Sequence, residues 1–219
     1  FEKTQGSSYF TAQLLSKGTR HKNSYEIAER LDQNGAHLEI NPGLDFVSLS
    51  LYSLTKNLEP SLELLRELLL ESVFPPKELD QLKSIYLQNL KVNREKTSFR
   101  ASNLIRKAIY GETHPYGKES EEADVNALRQ DQLTEHYNQF FKTCTILVSG
   151  KVTENHQRYI TDIVALFSFN PLEYKNDFQI GPKKLPRQVA EKAGSIQSSI
   201  RMGKKIIGRS HDDYAGVLF

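Results

Sequence analysis

The chain has very little cysteine: Cys144 alone among 219 residues. That excludes an intrachain disulfide and any zinc site built from several thiolates. Cys144 lies in the apolar run Thr143-Cys-Thr-Ile-Leu-Val-Ser149, so it is read as a buried structural thiol. No stretch reaches the roughly 18 apolar residues needed to cross a bilayer as a helix. Charge of one sign is not in excess either. The 29 basic and 27 acidic residues are interspersed and leave a net charge of +2. Without a basic stripe, nucleic-acid binding loses its electrostatic footprint. The pairs Lys183-Lys184 and Lys204-Lys205 are read as solvated surface. A Gly-x-Ser-x-Gly elbow, a phosphate loop and paired catalytic carboxylates are all missing. The opening Phe1-Glu-Lys-Thr-Gln5 is not a signal peptide, and the closing Ala215-Gly-Val-Leu-Phe219 reads as mid-helix. Both ends are therefore expected to be cuts within a longer protein.

What is present is a globular composition, with 38% hydrophobic and 26% charged residues. Residues Tyr9 to Thr19 are expected to form a short amphipathic helix, with Phe10, Leu14 and Leu15 inward and Gly18 as its stop. A polar loop from Thr19 to Asn23 follows. Ser24 starts a second helix that Asn34-Gly35 ends. Ala36 to Asn41 and Phe46 to Leu54 alternate with a period of two around Pro42-Gly-Leu-Asp45, which predicts an antiparallel hairpin.

Two periodic helices come next. Leu58 to Glu71 carries Leu58, Leu62, Leu65 and Leu69, widened by Leu64 and Leu68. Phe74-Pro75-Pro76 breaks the chain. Lys77 to Lys96 then carries Leu79, Leu82, Tyr86 and Leu90. Helices are also expected over Ser98–Tyr110, Arg129–Lys142 (Leu133, His136, Tyr137 and Phe140 inward) and Thr153–Phe167. Glu119 to Asn126 reads as acidic and irregular, and Thr143 to Gly150 as the clearest strand.

Residues 1–169 thus form an α+β domain, an antiparallel sheet packed on helices. Residues 170–193, with Pro171, Pro182 and Pro186, read as a linker. Residues 194–219 read as the truncated start of a second, similar domain, with a strand over Ser195–Met202.

Several local phrases, in this order, resemble the insulinase and mitochondrial processing peptidase (pitrilysin) family. They are Leu15-Ser-Lys-Gly-Thr19, Tyr25-Glu-Ile-Ala28, Asn34-Gly-Ala36, Leu62-Glu-Leu-Leu65, Phe74-Pro75, Ile85-Tyr-Leu-Gln-Asn-Leu-Lys91 and His114-Pro-Tyr-Gly117. The resemblance implies a metallopeptidase-like fold of the LuxS and processing-peptidase type, one half of a two-domain repeat. Family enzymes carry an inverted His-x-x-Glu-His motif on a helix, just before a Lys-Gly-Thr-like turn. The two histidines hold zinc, and the glutamate acts as general base on the bound water. In the register fixed by Leu15–Thr19, the histidine positions fall on Tyr9 and Gln13 and the base position on Ala12. The family's third ligand, a glutamate on a later helix, falls on Asn89, 76 residues after Gln13.

All four chemical groups have changed. The resemblance therefore implies a non-catalytic member with no metal, no other cofactor and no catalytic residue. Family members work in pairs, which implies a zinc-bearing homologous subunit as partner and an extended peptide as the substrate held between them. Two alternatives stay open: a scaffolding role like that of respiratory core proteins, and a zinc peptidase using atypical ligands. The resemblance leans towards a bacterial cell envelope. Among rival sites, His37 and Glu39 share one strand face and are read as a surface pair. His211-Asp212-Asp213 is read as a helix cap, and His114 as fixing the turn before Pro115.

Overall fold

The computed structural model describes residues 2, 4–141, 144–167, 187–208 and 211–217. The chain divides into two compact units. The first comprises residues 1–87 and 120–174, and the second 88–119 and 175–219.

The first unit opens with α1 (Ser7–Leu14), which is shorter than its apolar pattern predicts. The Glu2 carboxylate accepts the N–H groups of Gly6 (3.0 Å) and Ser8 (2.9 Å), satisfying donors that a helix start leaves free. Asn23 and Glu26 form a reciprocal capping box that starts α2 (Ser24–Asn34), and Gly35, at φ 57°, ends it. The hairpin pairs β1 (His37–Pro42) with β2 (Val47–Tyr52), His37 facing Tyr52 and Pro42 facing Val47. Its alternation turns Leu38, Ile40 and Leu49 towards the helices.

After a 3₁₀ turn at Thr55–Asn57 comes α3 (Leu58–Glu71). Its buried face centres on Ser61, Leu64, Glu67 and Leu68, not on Leu58, Leu62, Leu65 and Leu69. Seven leucines at overlapping spacings leave that rotation undetermined by sequence alone. Helix α4 (Pro76–Arg94) begins on a proline whose missing N–H costs nothing at a first turn. Between them Phe74 is fully buried with φ +51°, a conformation rare outside glycine.

Residues Glu122–Ala127 form a short helix, α5, where the sequence suggested irregular chain. The Asp124 carboxylate accepts the Glu121 N–H at 3.0 Å, so the acidic residues serve as caps. Helices α6 (Gln130–Phe140) and α7 (Glu154–Ala165) complete this unit. The main core joins Phe10, Leu14, Leu15, Phe74, Leu79, Leu133 and their neighbours; a smaller one joins Ile27, Leu64 and Leu68.

Two expectations fail here. Residues 144–150 form no strand: they are exposed, and Leu147 is 91% accessible. An apolar run of this length suits a buried strand, but only a neighbouring strand satisfies its backbone, and among the described residues none is paired to it. Cys144 is accordingly exposed and is not a buried thiol.

In the second unit the last turns of α4 are followed by α8 (Thr97–Tyr110). Gly117 is obligatory, because a β-carbon there would lie 1.9 Å from the Gly111 carbonyl oxygen. Arg94 pairs with Glu119 at 3.2 Å and Lys192 with Glu95 at 2.7 Å. Residues 195–202 are irregular and exposed where a strand was expected, with Ile196 97% accessible. Helix α9 (Tyr214–Val217) is a single turn. Most of the proposed linker, 170–186, lies outside the described residues. Among the described residues no helix is long and apolar enough to cross a membrane.

Candidate functional site

Helix α1 places Tyr9 and Gln13 one turn apart on one face, as an i, i+4 pair must be. Both are half-buried, whereas Ala12 has no exposed surface. The Tyr9 ring packs edge-on to Phe10 (centroids 5.4 Å) and tilted against Tyr86 of α4 (5.2 Å). Tyr86 also meets Phe10 at 5.3 Å, so three rings close on one another. Burial pushes the Tyr9 phenol above its ordinary pKa, and the neighbouring Tyr86 adds to the rise. The phenol therefore stays protonated at neutral pH.

Asn89, the fourth position to which the resemblance points, is exposed on α4 and belongs to the second unit. These side chains do not fit zinc. A protonated phenol and two neutral amides are poor donors for a metal that selects imidazole, thiolate or carboxylate. Ala12 carries no proton acceptor at all. Among the described residues no group of three or more His, Cys, Asp or Glu side chains is arranged to hold a metal ion.

The turn that fixes the register has a reason of its own. A β-carbon on Gly18 would meet the Pro75 ring at 2.6 Å, so only glycine lets α1 end against the α3–α4 elbow. Gly18 is thus a close-approach glycine and not the helix stop predicted for it. Its carbonyl accepts the Val73 N–H at 3.1 Å, and the Ser72 hydroxyl donates to the Leu15 carbonyl at 3.0 Å.

Sequence reasoning placed His136 inward but gave it no chemistry. It is 7% exposed, burial lowers its pKa to about 4, and its Nδ1 lies 3.4 Å from the Ser7 hydroxyl. A small pocket beside it is lined by Thr4, Ser7, Gln132 and Glu135. The buried, neutral ring packs on Phe140 (4.5 Å), which suits a structural acceptor. His37 and Glu39 are an exposed pair 3.5 Å apart. The His114 Nδ1 accepts the Tyr116 N–H at 3.1 Å across Pro115, fixing that turn. The His211 Nδ1 accepts the Asp213 N–H at 3.1 Å, just before α9.

The α+β arrangement has its counterpart in one family. The family model described as "Insulinase (Peptidase family M16)" matches residues 1–121. The chain belongs to the insulinase family. Within it, subunit 1 of the mitochondrial cytochrome b-c1 complex of Bos taurus is 23% identical over 162 residues, covering 73% of this chain and 33% of that protein. An uncharacterised zinc protease of Bacillus subtilis, YmxG, is 21% identical over 211 residues, covering 94% and 51%. Among solved structures, a peptidase M16 inactive domain from Pseudomonas fluorescens superposes with a TM-score of 0.59 at 26% identity, over 62% of this chain and 34% of that one. A Helicobacter pylori protease gives 0.63 at 16% identity, over 83% and 44%. The chain thus spans a third to a half of the curated relatives' length.

Proposed function

We propose that this chain is a non-catalytic insulinase-family domain, which helps an active, zinc-bearing homologous subunit enclose and hold an extended peptide. One observation carries the reading. In the register read from Leu15–Thr19 the family's ligand and base positions on α1 fall on Tyr9, Ala12 and Gln13, where Tyr9 packs into a cluster with Phe10 and Tyr86 and Ala12 is fully buried. A water molecule at this position would have neither a metal to acidify it nor a base to take its proton. A family relative described as an inactive domain supports the same reading.

The test is co-purification from the source cell, with peptidase activity assayed on the zinc-bearing partner with and without the full-length chain. Activity that rises on adding the chain supports the proposal, and unchanged activity overturns it. Metal analysis of the purified chain is the second arm, because stoichiometric zinc bound through α1 would restore the atypical-ligand reading. The similarity to a cytochrome b-c1 complex subunit favours a second reading, a scaffolding role within a larger assembly. Recovery in a stable complex that lacks any peptidase would select it.

A further inference from the structure

The segment after α1 lies over a carboxylate buried in α3. Glu67 is 7% exposed and Thr19 6%. The Thr19 hydroxyl donates to Glu67 Oε1 at 2.5 Å, and Lys22 Nζ reaches Oε2 at 2.5 Å. The Thr19 oxygen in turn accepts the backbone N–H groups of His21 (3.1 Å) and Lys22 (2.9 Å). The Thr19 N–H closes the turn on the Lys22 carbonyl at 2.8 Å. Two further links tie the same segment to the end of α3: the Arg20 N–H donates to the Glu71 carbonyl (3.1 Å), and His21 Nε2 lies 2.9 Å from the Glu71 carboxylate. Glu71 also faces Arg66 at 3.7 Å, and Arg66 pairs with Glu63 at 2.6 Å.

This differs from an ordinary surface ion pair. An exposed pair can open at little cost, because water replaces each partner. A carboxylate buried at Glu67 has no such replacement, so removing its partners leaves an uncompensated charge. Burial alone would raise the Glu67 pKa, yet it is lowered on balance because Lys22 and Thr19 donate to it. The carboxylate is thus satisfied only with the strap closed, and it adds two side-chain links, to Thr19 and Lys22, to the backbone ties that already hold the strap.

We infer that Glu67 is a latch, which holds the strap Gly18–Asn23 on α3 and so fixes the C-terminal end of α1 by a route independent of positions 9, 12, 13 and 89. The retained Lys-Gly-Thr phrase then has two architectural duties, Gly18 against Pro75 and Thr19 on Glu67. Neither involves a metal. The position of α1 is set by α3 and the elbow after it, and the strap opens and closes as one local unit.

Amide hydrogen exchange on the full-length chain tests this, with peptides covering 16–23 read against α7 (Glu154–Ala165) in the same sample. Glu67→Gln is expected to speed exchange in 16–23 at least about tenfold while α7 is unchanged, the signature of local opening. Lys22→Met, at a half-exposed position, removes the cation from the buried Glu67 carboxylate and is expected to do the same. The double variant should gain no more than Glu67→Gln alone, since both act through one carboxylate. Unchanged exchange in 16–23, or an equal acceleration in every peptide, overturns the latch. If Glu67→Gln fails to fold, Lys22→Met alone decides between these outcomes.

Discussion

Gly18 and Pro75 approach so closely that a β-carbon on Gly18 would stand 2.6 Å from the proline ring. Neither partner can give way: the ring is rigid, and Phe74 before it is buried with an unfavourable φ. Gly18→Ala should therefore destabilise the chain by about 1–3 kcal/mol, the usual cost of overpacking. Denaturant titration checks this, and Gly18→Ala with Pro75→Ala should recover part of the loss.

The ring cluster on α1 makes a second expectation. Tyr9→Ala removes an aromatic pair with Tyr86 and leaves a void beside Phe10. A loss of about 2 kcal/mol is expected, from pair energies near 1 kcal/mol and partial burial. Tyr9→Phe should cost far less, because the ring contacts and not the hydroxyl carry the effect. Equal losses in the two variants would show that the hydroxyl matters.

Rebuilding the metal motif should divide into an easy half and a costly half. Tyr9→His with Gln13→His creates an i, i+4 histidine pair, and added zinc should then raise the melting temperature in a concentration-dependent way. The unmodified chain should show no such shift. Ala12→Glu is the costly half, since it forces a carboxylate into a position with no exposed surface. About 3 kcal/mol of destabilisation is expected, measured by thermal unfolding without metal.

His136 sets a pH dependence. Its pKa falls from 6.5 to about 4 on burial, so the folded state holds the neutral ring and the unfolded chain takes up the proton first. Its contribution is fully present above pH 6.5 and is lost as pH falls towards 4, by about 3 kcal/mol at most. His136→Gln should flatten the stability profile across that window in denaturant titrations at stepped pH.

Glu67 acts lower on the same scale. Its pKa lies below the ordinary 4.5, so the ionised form is favoured by folding. The latch is complete above pH 4.5 and is lost as pH drops through the folded value. Exchange in peptides 16–23 should accelerate in that acid range before α7 responds.

The amino-acid sequence by itself determined those elements whose start and stop signals lie within a few residues of one another. Asn23 and Glu26 cap α2, Gly35 ends it, and alternation around Gly43 makes the hairpin, all through neighbours only a few residues apart. Tyr9, Ala12, Gln13 and Asn89, on which the resemblance puts the family's zinc-site positions, are likewise read without coordinates. What only the tertiary structure decided involves partners distant in the chain. Leu64 and Leu68 rather than Leu62 and Leu65 face inward because Ile27 of α2 lies there. Residues 144–150 carry a strand's pattern and stay unpaired, because pairing depends on a neighbour that local sequence does not supply. Glu67 reads as one more charge on a helix until Thr19 and Lys22, 48 and 45 residues away, close over it. Short-range order follows from each residue's own conformational preferences, whereas burial is a property of what the rest of the chain brings alongside.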